Sequence, residues 1–245
     1  MGALHAGHAE LIRRAREISE EVVVSVFVNP LQFENPEDLA KYPRTPERDR
    51  EIAIDAGATQ VWFPTYGEIY PENYLSLKAG PLGDLFEGAS RPGHFDGVVT
   101  VVRRLFDLVK PDVALFGEKD FQQLALVKQI AGEVKIVSVP IVRESDGLAL
   151  SSRNVRLTSE GRAAAPVIYR ALSAAEQEST LGAARSRLRE VLGEERAFTT
   201  DYAEIIDEEN FQNAHEETVH KRAIIAGWIN GIRLIDNMAM KSGMR

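Results

Sequence analysis

The run Val22 to Val28 (VVVSVFV) constrains the fold more than any other segment, because it is almost wholly apolar and dominated by β-branched residues. A strand buried on both faces of a parallel sheet reads this way, whereas a half-exposed strand would alternate with polar residues. Asn29-Pro30 ends the run, since proline cannot extend a strand ladder. Helical spacing follows from about Pro46 to Ala56, then a short apolar strand at Val61-Trp62-Phe63. A helix with a broad apolar face runs from about Gly97 to Val109, and Asp112 to Phe116 is a second buried strand. Lys119 to Ile130 reads as a helix and Lys135 to Val139 as a strand. Strands alternating with helices predict an α/β fold, a Rossmann-like doubly wound parallel sheet, in which ligands sit beyond the carboxyl ends of the strands.

Past about Ile141 the pattern changes to alanine-rich helices near Thr158 to Gln177 and Leu181 to Leu192. Strands follow at Tyr202 to Ile206, Arg222 to Ile229 and Ile232 to Ile235. This predicts two domains, a nucleotide-binding domain over residues 1–141 and a smaller C-terminal α+β domain over residues 142–245. No long linker separates them around Pro140 to Gly147, so they are expected to abut across a cleft, with a hinge at the junction.

With 44% hydrophobic residues in 245, the chain has material for a well-packed core. A net charge of −8 argues against a general nucleic-acid surface but leaves room for a local site that binds a small anion. The absence of cysteine excludes a disulfide framework, a thiolate zinc site and a cysteine nucleophile. No apolar run approaches membrane-spanning length, and the chain opens inside a motif instead of a signal peptide, so the cytoplasm is the expected location.

That opening motif is Met1-Gly2-Ala3-Leu4-His5-Ala6-Gly7-His8, followed by an amphipathic stretch from Ala9 to Ser19. A helix N-terminus offers unpaired N–H groups to phosphate. His5 and His8, three apart, share a face, and Gly7 lets the backbone approach closely. Gly117-Glu118-Lys119-Asp120 follows a buried strand, so Lys119 is a candidate phosphate cation and Asp120 a candidate cap, with Gln123 one turn further on. Gln32, after Asn29-Pro30-Leu31, can aim a second amide into the same crevice. Two glutamines suit a small hydroxy acid. Leu150-Ser151-Ser152-Arg153 sets hydroxyls beside a guanidinium, a donor set suited to phosphate oxygens. Arg91-Pro92-Gly93-His94 supplies a further histidine, expected to be structural, while His215 and His220 are expected at the surface. Asp49 is a candidate magnesium ligand, although magnesium leans mainly on waters and substrate phosphates.

In order along the chain, MGALHAGH, FVNPLQF, YPRT (Tyr42 to Thr45), RPGHFDGV, FGEKDFQQL, LSSRN and RLIDN (Arg233 to Asn237) resemble the pantothenate synthetases over nearly the whole length. The resemblance implies a nucleotidyltransferase-type α/β fold, a cytoplasmic homodimer, and small-molecule substrates with neither nucleic acid nor membrane as partner. It implies a ligase of pantothenate biosynthesis that joins pantoate to β-alanine through a pantoyl adenylate, with ATP as substrate and Mg2+ as cofactor, releasing AMP and pyrophosphate. It gives His5, His8, Lys119 and Arg153 to catalysis. Met1, Gly2, Gly7, Gly117, Glu118, Asp120, Val142, Leu150, Ser151 and Ser152 join these four around ATP. Gln32 and Gln123 go to pantoate, with Gln32 also facing β-alanine, and the C-terminal domain closes over the ATP site.

The family carries a first strand ending in Pro-Thr before the methionine that matches Met1, and this sequence has none. Neighbouring strands are then expected to leave groups unpaired, at about 1–3 kcal/mol for each one buried. A charged amine at Met1 is expected beside the ATP site, and with it poor stability or weak activity. Rival readings are another nucleotidyltransferase of the same fold, or a non-catalytic nucleotide-binding dimer partner. The first would call for more cationic side chains than Gln32 and Gln123 provide.

Overall fold

The computed structural model describes residues 1–33 and 36–244. The chain forms two compact units, Met1–Val142 and Arg143–Arg245.

In the first unit, β1 (Val23–Ser25) pairs in parallel with β2 (Gln60–Trp62), joined through α2 (Pro36–Lys41) and α3 (Pro46–Asp55). β3 (Val113–Gly117) pairs in parallel with β4 (Lys135–Val139) across α7 (Phe121–Ile130). The remaining helices are α1 (Ala6–Ile18), α4 (Tyr66–Ile69), α5 (Glu87–Ser90) and α6 (His94–Val109). The parallel pairing follows the alternation in the sequence. The strands, however, stand as two separate two-stranded ladders among the described residues, where one continuous sheet was expected. The Val22 to Val28 run yields only a three-residue strand because its partner β2 is three residues long. Met1 extends β1's pairing on its other edge: its amine donates to the Ser25 carbonyl at 3.0 Å, and its carbonyl accepts from the Phe27 N–H at 2.8 Å.

Two apolar clusters hold this unit. Ala9 and Ile12 of α1 pack with Leu4, Val22, Val24 and Ala53. Val98, Val99, Val102 and Phe106 of α6 pack with Ile69, Leu126 and Val127.

In the second unit, β5 (Thr199–Asp207), β6 (Lys221–Ile229) and β7 (Ile232–Ala239) form an antiparallel sheet with β6 in the centre. α9 (Val167–Gln177) and α10 (Leu181–Gly193) supply Ile168, Leu172 and Leu188, which pack on Ile205, Ile225 and Ile229. The single helix expected from Thr158 to Gln177 is two, α8 (Ser159–Ala164) and α9, because Pro166 has no N–H to continue the first. Arg143 binds Asp236 of β7 with two bonds of 2.6 and 3.0 Å and reaches the Gly147 carbonyl at 3.0 Å. That clamp holds the hairpin closed by the Arg143–Ala149 bridge, from which Leu150 to Arg153 emerges.

Candidate active site

Histidine builds the start of α1. His5, not a residue nearer Ala9, is the N-cap: its Nδ1 accepts from the Gly7 N–H at 3.1 Å, and its own N–H donates to His8 Nδ1 at 3.3 Å. Two imidazoles thus make the reciprocal capping arrangement usually made by a hydroxyl and a carboxylate. Because both Nδ1 atoms accept, each neutral ring carries its proton on Nε2. The rings lie 4.1 Å apart at 43°. Burial, with His5 next to it, pushes His8 down to about 3; burial and then Lys119 lower His5, against the pull of Asp120. At neutral pH the pair is therefore two uncharged Nε2–H donors at a helix N-terminus. Gly7 sits in the first turn of that helix.

The 3-10 turn Glu118–Asp120 follows β3, with Gly117 as its N-cap. Lys119 Nζ lies 3.6 Å from Asp120 Oδ1 and is largely covered. Both charges act on His5 and His8, which puts this turn beside the start of α1. Asp120 occupies the N-cap position of α7 without making the capping bond expected of it. Its charge acts on His94 as well as on His5 and His8.

The loop before α1 is held by Asp49, which is 1% exposed. It accepts from the N–H groups of Ala3 at 3.0 Å and Leu4 at 2.7 Å and from the Thr45 hydroxyl at 3.0 Å. Tyr42 donates to the Gly2 carbonyl at 3.4 Å. Asp49 thus fails the fit for a magnesium ligand, because its oxygens are buried and occupied by donors. Among the described residues no group of three or more histidines or carboxylates is arranged to hold a metal. The Met1 amine, which donates to the Ser25 carbonyl at 3.0 Å, is lowered to about 6 by desolvation against the opposing influence of Asp49.

Gln32 ends the 3-10 turn Pro30–Gln32. Asn29, 2% exposed, fixes that turn: it donates to the Gly97 carbonyl at 3.0 Å and accepts from the Leu31 N–H at 3.2 Å and the Tyr70 hydroxyl at 2.7 Å. The carbonyl of Gln32 receives His94 Nδ1 at 2.8 Å and Arg91 Nη2 at 3.4 Å. Gln123 is half-buried on α7, and its neighbour Gln122 is spent on structure, binding the carbonyls of Leu82 and Leu85 and the Glu87 N–H. The side-chain amides of Gln32 and Gln123 make no hydrogen bond to described residues, which suits them to a ligand. Val142 lines a cavity of about 260 Å³ with Ala6, Glu10, Arg13, Val139 and Ile141, along the flank of α1.

In the second unit, Leu150 to Arg153 forms a turn in which the Ser151 hydroxyl accepts from the Arg153 N–H at 3.2 Å and Asn154 donates to the Ala149 carbonyl at 3.0 Å. His215 and His220 are exposed. The roles of Arg91, Gln122, Tyr70 and Asn29 in anchoring these turns are not visible in the sequence. Only the Arg91-Pro92-Gly93-His94 motif points towards any of these residues, because bonds to backbone carbonyls leave no spacing signature.

A parallel α/β unit with neutral histidines at a helix start beyond the strands, next to a lysine turn, defines a nucleotidyltransferase-type protein. The family model described as Pantoate-beta-alanine ligase matches residues 1–239. The chain is 48% identical to the pantothenate synthetase of Thermus thermophilus, over 97% of this chain and 90% of that one. It is 46% identical to that of Acidothermus cellulolyticus, over 98% and 84%. A crystal structure of the Thermus thermophilus enzyme superposes with a TM-score of 0.91 over 97% of this chain and 90% of that one, at 46% identity. The Francisella tularensis pantoate-β-alanine ligase, complexed with β,γ-ATP and β-alanine, gives 0.78 at 35% identity, over 98% and 87%. This chain belongs to the pantoate–β-alanine ligase family.

Proposed function

We propose that this chain is a pantothenate synthetase, condensing pantoate with β-alanine at the expense of ATP. In the first step a pantoate carboxylate oxygen attacks the α-phosphorus and the bond to pyrophosphate breaks, giving pantoyl adenylate. In the second the β-alanine amine attacks the acyl carbon, loses a proton, and AMP leaves. Neither step needs a protein nucleophile, so catalysis rests on positioning and on stabilising charge as it moves.

The observation that carries this reading is the neutral Nε2–H pair of His5 and His8 beside Lys119. Two uncharged donors beside Lys119 bind a triphosphate while adding no further fixed charge that would hold the departing pyrophosphate. His5, Gly7, His8 and Lys119 face the phosphates in this proposal. Met1, Gly2, Gly117, Glu118, Asp120 and Val142 surround the nucleotide, and Gln32 and Gln123 hold pantoate. From the family resemblance, Leu150, Ser151, Ser152 and Arg153 are assigned to the phosphates, the C-terminal domain to closure over ATP, and the enzyme to a cytoplasmic homodimer. Magnesium would be held by the nucleotide's own oxygens and waters, because Asp49 is buried and engaged with the loop before α1.

The test is AMP release from the purified chain with ATP and Mg2+, with pantoate and β-alanine added separately and together. AMP that requires both acids and is lost in Lys119→Ala and Arg153→Ala supports the reading; ATP bound without AMP formation sinks it.

A further inference from the structure

The geometry points to His94 and Arg91 as positioning residues for pantoate, acting through the main-chain carbonyl of Gln32. Neither is placed against substrate by the proposed function. The inference rests on that reading's assignment of Gln32 to pantoate.

His94 Nδ1 donates to the Gln32 carbonyl at 2.8 Å, and Arg91 donates twice, from Nη1 to His94 Nε2 at 3.2 Å and from Nη2 to the same carbonyl at 3.4 Å. One carbonyl therefore has two donors, and one of those donors has its tautomer set by the other: Arg91 can donate to Nε2 only while His94 keeps its proton on Nδ1. His94 is 9% exposed and sits at the start of α6, so its ring is fixed by the helix behind it. Arg91 is in turn 3.7 Å from the buried carboxylate of Glu87, whose N–H reaches Gln122, the neighbour of Gln123. Polar contacts thus run from the backbone of one pantoate glutamine to the helix that carries the other.

Gln32 ends a 3-10 turn of three residues, too short to hold a side-chain direction by itself. Its amide aims wherever its backbone is pinned, and the pin is the carbonyl. A neutral site that discriminates by hydrogen bonds needs that aim, because a displaced amide leaves one of its own groups or one of the substrate's unpaired.

The experiment measures the steady-state constants of His94→Leu, His94→Asn and Arg91→Gln in the full chain, with each of the three substrates varied. Leucine keeps the volume and removes the donor; asparagine returns a donor near the position of Nδ1. His94→Leu is expected to raise KM for pantoate about tenfold, the loss of one buried hydrogen bond, with KM for ATP within twofold of the parent. His94→Asn restores most of the loss and Arg91→Gln gives a smaller increase. In a Gln32→Ala background the effect of His94→Leu disappears, since a residue acting only through Gln32 has nothing left to position. Equal rises in KM for pantoate and ATP, or additivity with Gln32→Ala, would overturn the inference. If His94→Leu does not fold, Arg91→Gln decides it by the same split, alone and in the Gln32→Ala background. A parent chain that forms no AMP fails the proposed function itself, which is a different result from an active parent that is indifferent to His94.

Discussion

Asp49 shows how far a residue's type can mislead about its task. An aspartate near a phosphate site invites a metal, yet this one binds two backbone N–H groups and a hydroxyl, folding the loop that sets His5 in place. Asp49→Asn turns an acceptor-only group into one that presents an NH2 to at least one of those donors. We expect a loss of about 2 kcal/mol and a fall of several degrees in Tm. The dependence of AMP release on Mg2+ concentration should stay unchanged; a shifted Mg2+ requirement at unaltered Tm would return Asp49 to the metal. The buried histidines give a second prediction. His8 at about 3 and His94 at about 4 lie below the usual 6.5, and both are lowered chiefly by burial. The unfolded chain therefore binds protons that the folded chain refuses. Their contribution to stability is whole above pH 6.5 and is lost as pH falls towards 4, at about 1.4 kcal/mol per pH unit for each residue. Urea midpoints measured from pH 7.5 to 4.5 should fall steeply in the parent and less so in His8→Asn and His94→Asn. Parallel curves for all three would refute the burial argument. The motif histidines were legible in the sequence, because spacing and a helix start suffice to find them. Their protonation and the anchoring of Gln32 were not, since both depend on which carbonyls and N–H groups distant segments bring near.

Element boundaries follow the same division. The strand Lys135–Val139 and the end of α6 at Val109 lie where the sequence puts them, because apolar periodicity records burial directly. The start of α1 at Ala6 is hidden, since histidine is an unusual cap, whereas the break between α8 and α9 does carry a mark in Pro166. Gly97 belongs to neither signal. Read as an ordinary position near the start of α6, it lies where a Cβ would come within 2.3 Å of the Leu31 carbonyl oxygen and 2.8 Å of the Gln32 N–H nitrogen. Helix α6 therefore approaches the Pro30–Gln32 turn as closely as backbone permits. Gly97→Ala adds one methyl group and helix propensity, which alone would stabilise. Here the clash is with backbone, so the turn must move and Gln32 with it. We expect a lower Tm and a KM for pantoate raised severalfold more than KM for ATP. A Tm above that of the parent would show that the contact relaxes at no cost.

The two units are built on opposite plans, and their stability should differ accordingly. In the second, β6 is hydrogen-bonded on both sides over most of its nine residues and is buried along nearly its whole length, with the helices α9 and α10 packed in the same core. In the first, β1 is three residues long, pairs with a strand equally short, and has an exposed residue at its start. Its other edge is engaged by Met1, whose amine and carbonyl make the two bonds to Ser25 and Phe27. An amide exchanges through the cheapest opening that frees it, and a short ladder opens without unpacking a core, whereas a central strand bonded on both edges requires the sheet to come apart. Native-state hydrogen exchange on the full chain should therefore find Ala223 to Ile229 among the slowest amides, exchanging only with global unfolding of their unit. Val24 and Val26 should exchange orders of magnitude faster. Binding should narrow that gap if the proposed site is right. A nucleotide gripping His5, His8 and Lys119 ties the start of α1 to the turn after β3, and Leu4, Ala9 and Ile12 already share a cluster with Val22 and Val24. ATP should then slow exchange at Val24 and Val26 and leave β6 almost unchanged. Equal slowing in both units would place the stabilisation elsewhere in the molecule, and protection confined to β6 would remove the nucleotide from the start of α1.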